Sequence, residues 1–229
     1  PDLDAQLVSG YDFISDPEAA RDGDGRDDDP TDEGDWFERG DCPNRADSRR
    51  NSSWHGTHVA GIAAAETNKG IGVAGVAFGA KLQHVRALGR CGGTLADISD
   101  AIVWASGGRV SGVPANATPA RVINLSLGGE GVCGPTYERA IDQAQSKGSV
   151  VIVAAGNDNA PAQETRPANC PGVVTVAAGN RDGERAFYSN HGNKVDVTAP
   201  GGHMTAESGE GGIASAYNDG DKEQGEPIY

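Results

Sequence analysis

The 229-residue sequence predicts an α/β fold: a three-layer sandwich around a central, mostly parallel sheet. Apolar strand-like runs alternate with helical patterns along most of its length, the order that right-handed β-α-β crossovers produce. One of those runs, Val150 to Ala155, is unbroken, the mark of a parallel strand covered on both faces. Two helices between the runs are closed by Gly, and one of them starts behind a capping Thr. No internal repeat or linker divides the pattern, so residues 1–229 read as one domain.

In chain order, Val8, Tyr11 and Phe13 mark a short strand and turn within residues 1–15. Residues 22–41 then form an acidic loop. A helix starts at or near His55 and runs through Ala65. Leu82 to Leu88 alternates like a strand. Thr94 caps a helix on Ile98, Ala101, Ile102 and Ala105, closed by Gly107 and Gly108. Arg121 to Leu127 is the next strand. Residues 135–147 form an amphipathic helix on Tyr137, Ala140, Ile141 and Ala144, with Gly148 just beyond its end. Strands follow at Val150 to Ala155, Val173 to Ala178 and Val195 to Val197. The tail, 201–229, loses all periodicity and reads as a long irregular surface loop.

A net charge of −14 and a pI near 4.6 argue against nucleic-acid or anionic-membrane partners. The longest apolar run is far short of the roughly 20 residues a membrane helix needs. No secretory leader stands at the front and the chain begins at Pro1, so it reads as an internal piece of something longer. The four cysteines, Cys42, Cys91, Cys133 and Cys170, form no C-x-x-C pair and allow three disulfide pairings, between which the sequence does not choose.

Residues 22–41 hold ten acidic residues against two arginines. Such crowding repels itself unless a cation is present. The spacing of Asp22, Asp24, Asp27 and Asp29 around Gly23 and Gly25 places hard oxygen ligands on a tight loop, as structural Ca²⁺ requires. The twelve-residue loop and terminal glutamate of an EF-hand are missing.

The densest chemical signal is Ser53-Trp54-His55-Gly56-Thr57-His58-Val59-Ala60-Gly61. At helical spacing His55, His58 and Ile62 share a face. Gly56 is tolerable only in a first turn, which puts His55 at the positive end of the helix dipole, where an imidazole is kept closer to neutral. A neutral imidazole on a rigid frame is a general base. Zinc held by His55 and His58 is the competing reading, but no third ligand follows in a zincin pattern.

This string resembles the histidine motif of the subtilisin-like serine proteases, the subtilases, of the secreted bacterial type. The resemblance implies that His55 is the catalytic base and His58 structural. Ala154 to Asn159 is similar to the family's oxyanion-hole motif, which assigns Asn157. Ser126, Leu127 and Gly128 resemble its substrate-binding segment, and Gly92 and Gly93 the opposite rail. Ala154 and Gly156 would line the pocket for the side chain before the scissile bond. The loop from Thr67 to Ala77 resembles one that wraps a second calcium with an aspartate near Asp2, but Lys69 stands where an amide ligand is expected. The pairings implied are Cys42–Cys91 and Cys133–Cys170, in an oxidising compartment.

The family's aspartate motif is expected before Pro1 and its Gly-Thr-Ser after Tyr229. None of Ser99, Ser126, Ser189, Ser208 or Ser215 has the neighbours of the nucleophile. The expectation is a secreted, monomeric serine endopeptidase that acts on polypeptides, with structural Ca²⁺ and a pro-segment outside this chain. The fragment alone is expected to be inactive. The alternative is a non-catalytic relative that binds peptide or calcium.

Overall fold

A computed structural model describes residues 2–43, 47–203 and 211–229. Pro1, Ser208 and the 204–210 part of the tail lie outside the described residues. The chain divides into two compact units, one made of Pro1–Ala101, Ser111–Val113 and Ala214–Tyr229, the other of Ile102–Val110 and Pro114–Ile213.

In the first unit, β1 (Leu7–Asp12) pairs in parallel with β2 (Leu82–Arg86), from Leu7 opposite Leu82 to Asp12 opposite Arg86. The register shifts between Val8 and Tyr11. There Gly10 lies so close to the next strand that a Cβ would sit 2.0 Å from the His84 carbonyl oxygen. The last pair of the ladder is ionic: Arg86 Nη1 donates to Asp12 at 2.6 Å, with Asp12 fully buried and the Arg86 side chain 5% exposed. Arg86 also donates to the Ala20 carbonyl and, at 3.0 Å, to Asp22. Ala20 ends the one-turn helix α1 (Pro17–Ala20), whose N-cap Asp16 accepts from the Glu18 N–H. Burial pushes the Asp12 carboxyl up to about 6, against the lowering pull of the Ile14 N–H and Arg86.

Helix α2 (His55–Ala64) packs closely against the tail. A Cβ on Gly61 would meet Ser215 Oγ at 2.3 Å and the Ala216 N at 2.9 Å. The Ser215 hydroxyl donates to the His58 carbonyl at 2.6 Å. The described part of the tail is thus ordered where the sequence predicts an irregular loop. It closes in an antiparallel pair that the strand residues Tyr217, Asn218, Pro227 and Ile228 form. Its carbonyls serve as acceptors: Gly220 takes the Trp54 indole N–H at 2.6 Å, and Asp221 takes the Ser52 N–H at 2.8 Å.

Helix α3 (Leu95–Ala105) starts as the sequence predicts, with Thr94 Oγ1 accepting from the Asp97 N–H at 3.0 Å. The second unit is built on β3 (Val122–Leu125), β5 (Val150–Ala154), β7 (Val174–Gly179) and β8 (Val197–Pro200), all parallel and in the order β3-β5-β7-β8. A short antiparallel pair, β4 (Gly129–Glu130) with β6 (Thr165–Arg166), stands beside it. Helix α4 (Gly134–Ser146) buries Tyr137, Ala140, Ile141 and Ala144, the four residues its pattern predicts. The tail hairpin supplies the last two strands, β9 (Tyr217–Asn218) and β10 (Pro227–Ile228).

The central strand β5 departs from its sequence reading in one respect. Val151 and Val153 are fully buried, but Val150 is 46% exposed and Ile152 and Ala154 are half-buried. Among the described residues the strand is therefore covered closely on one face only. Both disulfides join the pairs that the resemblance implies, Cys42–Cys91 and Cys133–Cys170. The second closes a 37-residue span in the second unit. Replacing Cys133 and Cys170 by Ser should lower unfolding free energy by about 4 kcal/mol on loop-closure entropy, measurable by denaturant titration.

Candidate active site

His55 opens α2 behind Trp54, which holds the left-handed conformation (φ 44°) and supplies no side-chain cap. What fixes that strained residue is its indole, buried to 2% exposure and bonded to the Gly220 carbonyl. The next residue back is fixed by Asp35: one oxygen accepts from the Ser53 N–H at 2.5 Å and the other from its hydroxyl at 2.8 Å. The loop that presents His55 is therefore clamped from the acidic segment and from the tail. The His58 ring meets Tyr217 edge-on, with centroids 6.3 Å apart.

The His55 imidazole is reachable by solvent yet crowded enough by protein to desolvate its charged form. Desolvation lowers its pKa, assisted by His58 and Arg50 and opposed by Asp35 and Asp32. A base kept neutral in this way can accept a proton near neutral pH. His55 should therefore titrate below the ordinary histidine value of about 6.5 in an NMR pH series. Asp35→Asn, which removes the strongest opposing charge, should shift that midpoint further down. An unchanged midpoint would mean that Asp35 does not act on the ring.

In the second unit, β5 ends at Ala154 and the chain turns through Gly156 (φ 109°), placing Asn157 at the exposed carboxyl end of the strand. Ala154, Gly156 and Asn157 join Val176, Ala178 and Pro200 around a cavity of about 170 Å³. The Gly156 turn is packed against Asn190, which is fully buried and which the sequence reading passed over. Its Tyr-Ser-Asn-His-Gly context looks like an ordinary turn, and no local signal sets it apart.

Ser126 and Leu127 lead out of β3 half-buried and Gly128 is exposed. A Cβ on Gly128 would come within 3.3 Å of the Arg166 carbonyl. Gly92 is engaged otherwise than expected of a free rail. It exchanges two 3.0 Å backbone hydrogen bonds with Gly89, and this closes a tight loop beside Cys91 and Gly93.

Of the four predicted cation ligands, three converge: one oxygen each of Asp22, Asp24 and Asp27 lie within 4.8 Å of one another. Asp29 turns away, accepting from the Thr31 N–H at 3.0 Å and hydroxyl at 2.5 Å. The Asp24 carboxyl is raised, chiefly by its side-chain hydrogen bond with Asp27. At the other loop, Lys69 Nζ itself reaches Asp2, whose second oxygen accepts from the Val73 N–H at 3.0 Å.

The family model described as the Subtilase family matches residues 2–226, and the chain belongs to that family. It is 55% identical over 210 residues to an extracellular protease of Xanthomonas campestris pv. campestris, covering 92% of this chain and 36% of the relative. To an extracellular basic protease of Dichelobacter nodosus it is 48% identical, covering 94% and 37% respectively. The chain thus spans little more than a third of the length of these relatives. A solved protease structure from Pseudoalteromonas arctica PAMC 21717 superimposes with a TM-score of 0.97 at 52% identity, covering all of this chain and 67% of that one. The fold is the subtilisin-like α/β fold.

Proposed function

We propose that the protein carrying this chain is a secreted serine endopeptidase that hydrolyses polypeptides through an acyl-enzyme. The observation that carries the reading is His55, an accessible imidazole of lowered pKa on a clamped helix start. In this reading His55 takes the proton of the nucleophilic serine and returns it to the leaving amine. The Asn157 amide, beyond the end of β5, donates to the oxyanion of the tetrahedral intermediate. Ser126, Leu127 and Gly128 pair with an extended substrate by strand addition, with Gly93 on the opposite rail. The small side chains of Ala154 and Gly156 leave the cavity open to the residue before the scissile bond. Both disulfides and the extracellular names of the relatives support secretion.

The test is peptide hydrolysis by the full-length protein. His55→Ala should cost about a million-fold in kcat and Asn157→Ala about 10²–10³-fold, magnitudes taken from subtilisin, a member of the same family. Activity should also be lost to a serine-directed phosphonate. Turnover that survives His55→Ala would overturn the assignment. Peptide binding without any turnover would mark a non-catalytic relative.

Asp22, Asp24 and Asp27 would hold a structural Ca²⁺, an ion suited to their hard, charged oxygens. Millimolar CaCl₂ should raise Tm, and the combined Asp24→Ala and Asp27→Ala changes should abolish that rise. Asp29→Asn should leave it intact, since that carboxylate serves Thr31. If Asp29→Asn abolishes the effect instead, the ligand set is wrong.

A further inference from the structure

Asn157 lies on an exposed turn, and an oxyanion donor must be held in place before the reaction begins. Gly156 and Asn159 (φ 51°) both adopt the left-handed conformation, so the turn does not hold itself by regular structure. The Asn159 N–H donates to the Tyr188 carbonyl at 2.8 Å and Arg185 Nη1 donates to Asn159 Oδ1 at 2.8 Å, but the bonds that flank Asn157 itself come from one residue. The Asn190 Nδ2 group donates to the Ala155 carbonyl at 3.0 Å and to Thr165 Oγ1 at 2.9 Å. Its Oδ1 accepts from the Asp158 N–H at 2.9 Å and the Ala160 N–H at 3.0 Å. Its own backbone N–H donates to the Gly156 carbonyl at 2.9 Å.

These bonds fall on both sides of Asn157 and use all four hydrogen-bonding positions of the side-chain amide. The site admits nothing larger. Asn190 Nδ2 lies 2.2 Å from where a Cβ on Gly156 would be, so the missing Gly156 side chain is the space the amide occupies. Asn190 is fully buried, where an unmade hydrogen bond is most costly.

We infer that Asn190 is the positioning residue for the oxyanion donor, setting the turn on which the Asn157 amide is aimed. The inference rests on the proposed role of Asn157. An isosteric Asp at 190 keeps the two acceptor bonds but loses both donors, and it sets a carboxylate oxygen against the Ala155 carbonyl. On the β5 side of Asn157 the turn then loses its side-chain anchor and keeps the backbone bond to the Gly156 carbonyl.

In the full-length protein, Asn190→Asp should lower kcat for a peptide amide by roughly tenfold or more while KM stays within about threefold, the split expected when only transition-state stabilisation is lost. Rates are referred to competent molecules counted by phosphonate titration, so a smaller folded fraction does not register as a lower kcat. In an Asn157→Ala background the same change should add almost nothing, because residues that act as a unit are not additive. A milder variant, Thr165→Val, removes only one acceptor of the Asn190 amide. It should lower kcat about twofold to fivefold with KM unchanged, a fraction of the loss of an oxyanion donor.

If Asn157→Ala itself leaves kcat unchanged, the oxyanion reading fails and the positioning role fails with it. If Asn157→Ala is severe but Asn190→Asp is silent, or costs as much again in the double variant, the positioning role alone is overturned. Should Asn190→Asp yield no competent enzyme, an unchanged kcat in Thr165→Val overturns it.

Discussion

The first unit is organised by the few cations that meet its many carboxylates, those of residues 22–41 among them. The buried guanidinium of Arg86, at the end of β2, neutralises Asp12, reaches Asp22 and holds the carbonyl that ends α1. Removing one member of such a buried pair costs about 3–5 kcal/mol, because the other charge is left without a partner. Arg26 binds Asp97 at 2.6 Å and Asp100 at 2.7 Å on α3. Arg21 stacks over the Trp36 ring at 3.6 Å, and Lys222 of the tail lies 4.3 Å from the same ring. The remaining acidic residues are largely absorbed by the backbone. Asp27, Asp29 and Asp32 each accept the N–H two residues ahead, the turn that a short acidic side chain makes for itself. What sets the proposed cation site apart from Asp29 is convergence: oxygens of Asp22, Asp24 and Asp27 lie within 4.8 Å of one another.

The sequence made legible whatever depends on near neighbours. The cap at Thr94, the buried face of α4 and the parallel strands follow from local pattern, and the structure places them within a few residues of where that pattern does. The helix start at His55 and the turn at Asn157 were readable because each sits in a short string that also sets its backbone. Three features were not readable. The tail lacks periodicity because its order comes from side chains that bond to its carbonyls, Trp54 and Ser52 among them, more than 160 residues away. Asn190 bonds partners 25 to 35 residues back, so nothing adjacent to it marks it. Asp29 shares the spacing of the ligands but is captured by Thr31, a competition that spacing alone does not weigh.

The two acidic loops of the first unit solve one electrostatic problem in opposite ways. At Asp2, 2% exposed, the cation is covalent: Lys69 reaches the carboxylate and Val73 donates its N–H. Burial raises the Asp2 pKa, but these bonds outweigh it and hold the carboxyl below its ordinary value. A carboxyl with a depressed native pKa stabilises the fold above its unfolded pKa and loses that contribution as pH falls. The 66–74 loop is therefore held at neutral pH whatever the solution contains. At Asp24 the carboxyl is raised instead, and the sign reverses. That one carboxyl holds a proton more readily in the fold than in the unfolded chain, so its contribution to stability is lost as pH climbs through the carboxylate range. A divalent cation would take the place of that proton and remove the penalty. The Lys69 loop needs nothing from outside. On the proposed assignment the Asp24 loop would take its counter-charge from an ion, and the Arg86 guanidinium at Asp22 joins this cluster to the buried end of the β1–β2 pair.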